Sequence, residues 1–194
     1  TKRKGQNKIK IKQTMIDMSS IARKEGTLAL ESKVQEIKDP FIKKGVSMIV
    51  DGTSDETIED ILSTEISAME DRHAVNASIF SSAGTYAPTL GVLGAVFGLI
   101  AAMSHIDDTA AMAEAIAAAF VATILGIFTG YVLWNPFAKK LKVKSHDEAV
   151  LKSMIVEGIL SIQKGDSPVM IQEKLLAVLP PKRREEVLKE LKPV

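Results

Sequence analysis

The two longest apolar stretches of this sequence contain few side chains that can bind an ion or move a proton. Residues 74–106 and 115–138 contain no Asp, Glu, Lys or Arg. Their deep polar atoms are the hydroxyls of Thr89, Thr123 and Thr129, and a threonine hydroxyl in a helix usually bonds to a carbonyl of its own backbone. Ion relays inside a membrane usually need an ionisable group there. An ion-conducting protein with these stretches would therefore take that group from a partner.

The rest of the chain shows no recognisable catalytic or metal-binding motif. It has no P-loop, no GxSxG, no HExxH and no paired carboxylates in an apolar setting. It contains no cysteine, and the scattered His73, His105 and His146 do not form a ligand cluster. The 25 basic and 24 acidic residues give a net charge of +1, which argues against a nucleic-acid-binding protein. We predict no enzyme activity, metal site or cofactor.

Both apolar stretches have the length and composition of membrane-spanning helices. A helix needs about 20 apolar residues to cross a hydrocarbon core of ~30 Å. The alternative is a pair of buried helices in a soluble bundle, but soluble core helices of this length usually keep a polar face. We predict spans at 74–106 and 112–138, joined by an outer loop at 107–111. Lysines follow the second span and none lies in the loop, so both chain ends are predicted to be cytoplasmic.

Amphipathic helical sequence flanks the hairpin on both sides. The 1–73 region is predicted to be helical, with an interruption near Gly26, a boundary at Lys38-Asp39-Pro40 and a turn at Asp51-Gly52. The helix after this turn is predicted to continue without a breaker into the first span. In the 139–194 region, Ser167 caps a helix with proline at its first position, and a charged helix follows at 182–192. No strand pattern is convincing. We therefore predict an all-α integral membrane protein, a transmembrane helical hairpin with cytoplasmic helical regions before and after it.

The start of the chain is rich in basic residues without interleaved aromatic residues. We interpret this segment as a juxtamembrane or solvated basic arm. Its members are Lys2, Arg3, Lys4, Lys8, Lys10 and Lys12.

Small residues recur in both apolar stretches. Gly94 and Gly98 form one GxxxG pair, and Gly126 and Gly130 form another. Small residues let helices approach closely in a bilayer, which indicates packing against protein, by oligomerisation or against further helices. Pro88 lies inside the first span and removes a backbone hydrogen bond. It is either a static kink or a hinge.

Four stretches, in this order along the chain, resemble the MotA family of bacterial flagellar stator subunits. The order makes the resemblance specific, and it covers essentially the whole chain. The stretches are "ARKEGTLALE" (22–31), "APTLGVLGAVFGLIAAM" (87–103), "AIAAAFVATILGIFTGYVLWNPFAKKLK" (115–142) and "KGDSPVMIQEKLLAVLPP" (164–181).

The resemblance implies a four-span protein of the bacterial inner membrane, in which the present hairpin is spans three and four. It implies five such subunits, in contact with membrane lipid, around two copies of MotB. MotB carries the membrane aspartate that binds the ion. Ion flow then drives ring rotation, and cytoplasmic charges act on the rotor protein FliG.

The same resemblance assigns roles to six residues. They are Arg23 and Glu31 for rotor contact, Pro88 and Pro136 for conformational coupling, and Thr123 and Ala95 for the ion path. Sodium-driven relatives tend to have threonine where this chain has Ala95. The missing hydroxyl removes one potential Na⁺ ligand, so we predict that the transported ion is the proton.

Two other functions stay open at this point. One is that of ExbB and TolQ, relatives in the same superfamily that energise outer-membrane transport or integrity. The other is a structural membrane scaffold without ion coupling, which would tolerate the loss of Thr123 and Pro88. The stretches at 22–31 and 164–181 favour the motor.

Overall fold

A computed structural model describes residues 2–177 and Arg184, and nearly all of these residues are helical. The elements are α1 (Lys2–Glu25), a 3₁₀ turn (Thr27–Leu30), α2 (Glu31–Val34), α3 (Pro40–Val50), α4 (Asp55–Ser104), α5 (Thr109–Ile127), a π-helical segment (Phe128–Trp134), α6 (Asn135–Gln163) and α7 (Pro168–Ala177). No strand occurs in this part of the chain, and the all-α prediction is confirmed. The helix predicted at 182–192 lies, apart from Arg184, outside the described residues.

Local sequence signals set several helix ends. Gly26 ends α1 with a φ of 86°, a conformation that favours glycine. Asp39 caps α3 by accepting the backbone N–H groups of the next helical residues, and Asp108 caps α5 in the same way. The Ser167 hydroxyl accepts the Met170 N–H at 3.2 Å, so the predicted cap of α7 is confirmed.

The chain folds into two compact units. The helical unit comprises the described residues up to 69 and from 147 onward, and the hairpin unit comprises residues 70–146. The predicted hairpin, 74–138, lies inside the second of these. Its assignment to the two sides of a membrane stays a prediction.

In the hairpin unit, two long apolar helices run antiparallel. The stretches Asp55–Ser104 and Thr109–Gln163 are long and apolar enough to cross a membrane, and only 11% and 17% of their most apolar windows is buried. A core helix of a soluble protein would be mostly buried. The turn between them comprises residues 105–108, earlier and shorter than the predicted 107–111, because the Asp108 cap starts α5 at Thr109.

The helical unit has a conventional aliphatic core. Large side chains from all its helices are buried together, among them Met15, Leu30, Val46, Leu62, Ile159, Ile171 and Leu175. Gly45 lies directly under Ile159, where an added Cβ would overlap the Cδ1 atom. This packing holds α1, α3, α6 and α7 and the first turns of α4 together.

The predicted basic arm is wrong at one residue, Lys12, which is not solvated. Its residues from Lys2 onward form the first half of α1, and the Lys12 side chain is only 1% exposed. No hydrogen-bond partner reaches the Lys12 Nζ atom. Burial lowers the pKa of Lys12 to about 8, and the charge of Glu173 opposes that shift. The burial of Lys12 depends on tertiary packing, which a run of basic residues in the sequence does not indicate.

Candidate functional site

The hairpin packs through a seam of small residues that includes all four predicted packing glycines. A Cβ at Gly98 would lie 2.7 Å from the Ala119 Cβ atom, and one at Gly94 would lie 2.9 Å from the Ala122 Cβ atom. A Cβ at Gly126 would lie 2.6 Å from the Ala87 carbonyl oxygen. These close approaches occur within the hairpin. The glycine pairs therefore need no second subunit to explain them, and they lose their force as evidence for oligomerisation.

Two further seam glycines were missed from the sequence. A Cβ at Gly91 would lie 2.9 Å from the Ala122 carbonyl oxygen, and one at Gly84 would overlap the Asn135 side chain. Ala77, Gly84, Gly91 and Gly98 are spaced by seven residues, the repeat that keeps positions on one face of a supercoiled helix pair. That heptad was the available signal. The two GxxxG pairs, with their spacing of four, do not include Gly84 or Gly91.

Pro88 is packed into this seam against Gly130. A Cβ at Gly130 would lie 2.7 Å from the Pro88 Cδ atom and 2.8 Å from the Gly84 carbonyl oxygen. Because proline has no N–H, it leaves the carbonyl four residues earlier without a helical donor, and that carbonyl belongs to Gly84. Any larger residue at position 130 would collide with both the ring and this carbonyl.

The partner helix departs from α-geometry opposite Pro88. Phe128–Trp134 is a π-helical segment, which was not predicted from the sequence. It ends two residues before Pro136, the second residue of α6, and the Asn135 N–H reaches back five residues to the Gly130 carbonyl. A proline in a regular α-helix collides with the carbonyl four residues before it, and the wider turn relieves this. Single π-turns often occur at functional sites.

The three deep hydroxyls all bond within their own helices. The Thr123 hydroxyl donates to the Ala119 carbonyl at 3.1 Å, Thr89 donates to Thr85, and Thr129 donates to Leu125. A hydroxyl that donates its hydrogen keeps two lone pairs. The Thr123 oxygen can therefore still accept a hydrogen bond from a proton donor or from the water around an ion. Thr123 and Ala95 are half-buried beside the seam. Their role in an ion path stays a prediction.

The predicted rotor-contact charges lie in the other unit, on either side of one turn. Arg23 is in the last turn of α1 and Glu31 is the first residue of α2. Both side chains are exposed. Within the described part of the chain, neither has an ion-pair partner. Both charges are therefore available to another molecule.

A polar network ties α7 to α6 and to the loop before it. The Lys174 ammonium donates to the Asp166 carboxylate at 2.8 Å and lies 3.2 Å from Glu157. The hydrogen bond from Lys174 lowers the pKa of Asp166, and the same bond raises the pKa of Lys174. The Ser19 hydroxyl of α1 donates to the Asp166 carbonyl. This network joins helices that are far apart in sequence.

A groove of about 560 Å³ opens on the helical unit between α1, α2, α3 and α6. Its residues are Ile11, Thr14, Asp17, Met18, Ile21, Lys33, Glu36, Ile37, Lys38, Asp39, Ile42 and Leu151. Its rim charges are largely engaged, because Lys33 pairs with Glu36 and Asp39 caps α3. The free, convergent polar groups that mark a small-molecule site are not found there.

Comparison with known proteins adds to this geometry. The MotA/TolQ/ExbB proton channel family matches residues 33–154. The chain is 58% identical over 168 residues to Motility protein A of Bacillus subtilis (strain 168), an alignment covering 87% of this chain and 62% of that protein. The chain thus spans less than two thirds of that relative.

Two solved structures share the fold. The flagellar MotAB stator complex from Bacillus subtilis matches with a TM-score of 0.82 and 56% identity, over 91% of this chain and 68% of the matched chain. MotAB of C. jejuni matches with a TM-score of 0.84 and 37% identity, over 89% of this chain and 68% of the matched chain. The membrane-protein class predicted for the hairpin agrees with both.

Proposed function

Because the chain belongs to the MotA/TolQ/ExbB proton channel family, we propose that it is part of a flagellar stator subunit of the bacterial inner membrane. It would contribute the third and fourth spans and the cytoplasmic helices around them. One observation carries this proposal: the similarity to a motility protein of Bacillus subtilis extends over 87% of the chain. The ExbB/TolQ-like function and the scaffold function have no comparable support.

The proposed partner in the membrane is MotB. The apolar stretches 74–106 and 115–138 contain no Asp, Glu, Lys or Arg, so MotB would supply the carboxylate that binds the ion. Five subunits of this kind would surround two MotB chains, with lipid outside and both ends of this piece in the cytoplasm. We propose the proton as the transported ion, since Ala95 offers no hydroxyl for Na⁺. No catalytic step and no cofactor are proposed.

The seam suggests how an ion-driven change in one span reaches the other. Pro88 lies inside α4, Pro136 follows the π-helical segment of the other helix, and the close approach of Pro88 to Gly130 links the two places. A change in the direction of α4 at Pro88 would therefore displace the π-helical segment. This arrangement favours the hinge interpretation over a static kink.

The proposed output is torque on the rotor protein FliG. Arg23 and Glu31 are exposed and unpaired in the described structure, as residues that contact a partner would be. An exposed charge pair contributes little to stability, so neither charge is needed to hold the helical unit together.

The test uses the full-length gene in a deletion strain, with flagella counted by electron microscopy and swimming scored in the same culture. The deletion strain should keep filaments and not swim, and the gene should restore swimming. Arg23→Glu should impair swimming, and Thr123→Val should lower torque, while both variants still assemble with MotB. A deletion strain that swims normally would refute the motor role, and a requirement for Na⁺ over K⁺ would refute the proton.

A further inference from the structure

Leu28 is an exposed apolar side chain between the two predicted rotor-contact charges. It lies in the 3₁₀ turn that joins α1 to α2, and its side chain is 71% exposed. Among the described large apolar residues of the helical unit it is the most exposed, ahead of Val169 at 60%. Single exposed apolar residues are common on proteins, so exposure alone does not give Leu28 a role.

The turn is built to hold Leu28 outward. Gly26 has a φ of 86°, and its N–H donates to the Ala22 carbonyl at 3.0 Å. The Ala29 N–H donates to the Gly26 carbonyl at 3.2 Å. Leu30, two residues further on, is fully buried in the core of the helical unit. The turn is thus fixed at both ends, and Leu28 is fixed between them.

The charges on either side of this turn are free. Arg23 precedes it and Glu31 follows it, with no ion-pair partner among the described residues. Charges at the rim of an interface mainly set specificity and association rate. Most of the affinity comes from a few desolvated anchors. A contact made by Arg23 and Glu31 alone would therefore be weak.

We propose that Leu28 is the apolar anchor of the contact with the rotor protein. The matching surface has an apolar pocket for the leucine, a carboxylate that faces Arg23 and a basic group that faces Glu31. This inference rests on the proposed stator function, and it adds to that function the residue that excludes water from the contact.

Cysteine cross-linking tests proximity directly, because these 194 residues contain no cysteine. Leu28→Cys and Val169→Cys are each placed in the full-length protein, in membranes that also contain MotB and the assembled motor. A thiol-to-amine cross-linker should join position 28 to the rotor protein, and position 169 should give at least about tenfold less product, since proximity sets the effective concentration. Equal yields at the two positions, or no product at position 28, would overturn the inference.

Torque measurements in tethered cells test the energetic role. Leu28→Asn should lower the affinity of the stator for the rotor by about tenfold, the loss expected for one anchor, and should therefore lower torque. Leu28→Met keeps an apolar side chain of similar size and should retain normal torque. Val169→Asn removes the next most exposed large apolar side chain described in the unit and should also retain normal torque. The amount of complex with MotB is measured in each strain.

The outcomes separate this inference from the proposed function. Normal torque with Leu28→Asn, while Arg23→Glu stops rotation, would overturn the anchor and leave the stator function intact. A loss of torque that follows a loss of complex would make Leu28 a structural residue and also overturn the anchor. Normal rotation in the deletion strain would overturn the stator function itself.

Discussion

The two units of the chain solve helix packing in opposite ways. In the hairpin unit, glycines and alanines form the contacts, and large residues such as Leu99 and Phe120 are exposed. In the helical unit, large residues such as Leu62 and Ile159 are fully buried. The same chain therefore places its bulky side chains outside in one unit and inside in the other.

The solvent explains this inversion. Lipid tails are as apolar as leucine, so burying leucine between membrane helices gains little, and close backbone contact supplies the stability. In water, each Å² of buried apolar surface is worth about 25 cal/mol, so large side chains belong in the core. The contrast agrees with the prediction that the apolar stretches 74–106 and 115–138 cross a membrane.

The polar groups follow the same division. The threonine hydroxyls of the apolar stretches, such as that of Thr123, bond to the backbone of their own helix. In the helical unit, polar groups bond between elements, as Lys174 does with Asp166. Lys12 is an exception, because its ammonium group is buried there without a hydrogen-bond partner.

The sharpest test of the contrast is a large residue in the seam. Gly126→Leu places a side chain where even a Cβ would lie 2.6 Å from the Ala87 carbonyl oxygen and 2.8 Å from the Gly91 Cα atom. Backbone atoms cannot move aside as a flexible side chain can. The variant should lose about 3 kcal/mol or more of hairpin stability and fail to form a complex with MotB, as measured by co-purification from membranes.

Its control is Ile124→Leu, a conservative change at an exposed residue of the same helix, which should assemble normally. If Gly126→Leu also assembles at the normal level, the seam does not depend on backbone contact. The contrast between the two units would then be wrong.

In the helical unit, replacing Lys12 should raise stability, whereas replacing Gly126 in the hairpin unit should lower it. The pKa of Lys12 is lowered from 10.5 to about 8. Below that pH both the folded and the unfolded chain carry the charge, so the folded state bears the full cost of burying it. As the pH rises towards 10.5 the folded protein is already neutral and the unfolded chain is not, so stability rises with pH in this window.

Lys12→Met should therefore stabilise the full-length complex at pH 7, by about 1–2 kcal/mol, and should remove the rise in stability between pH 8 and 10.5. Thermal unfolding measured across that range checks both effects. The exposed Lys24→Met serves as the control and should leave the curve unchanged. If the stability of Lys12→Met still rises with pH between 8 and 10.5 as in the wild type, Lys12 is not the titrating group.

Local signals in the sequence were sufficient for much of the fold. The break at Gly26 and the start of α7 after Ser167 depend only on neighbouring residues, and both were predicted. The burial of Lys12 was not, because it depends on the packing of α1 against elements that are distant in sequence, such as α7. The π-helical segment was missed because it follows from Pro136 together with a seam whose pairing the sequence does not show.

The candidate functional residues also divide into those that a local sequence pattern predicted and those that needed other information. The four GxxxG glycines were found from a short repeat, whereas the roles of Arg23, Glu31, Pro88, Pro136, Thr123 and Ala95 came from resemblance. Exposure in the structure added Leu28, which has no sequence signal of its own. Leu30, two residues away, is buried, and the sequence alone does not show which of the two leucines is exposed.

The smallest expected effect is the difference in stability between losing the half-buried Asp166–Lys174 bond and losing the exposed Lys33–Glu36 pair. The Asp166 carboxylate is 26% exposed and accepts a hydrogen bond from Lys174, which lowers its pKa. Its contribution is therefore present above about pH 4 and is lost as the pH falls through the lowered pKa. Asp166→Asn removes the charge and keeps one oxygen acceptor, and it should cost up to about 1 kcal/mol at pH 7. Lys174 retains Glu157 as a second partner, which limits the loss.

Glu36→Gln breaks the more exposed pair with Lys33 in the same unit and should cost close to nothing. Chemical denaturation at pH 7 and at pH 3 checks both variants. The Asp166→Asn curve should approach the wild-type curve at the lower pH, because the carboxylate of the unfolded wild-type chain is then largely protonated, which removes part of its contribution to stability. Equal losses in the two variants at pH 7 would show that tying α7 to α6 adds nothing beyond an exposed pair. The helical unit would then depend on its aliphatic core alone.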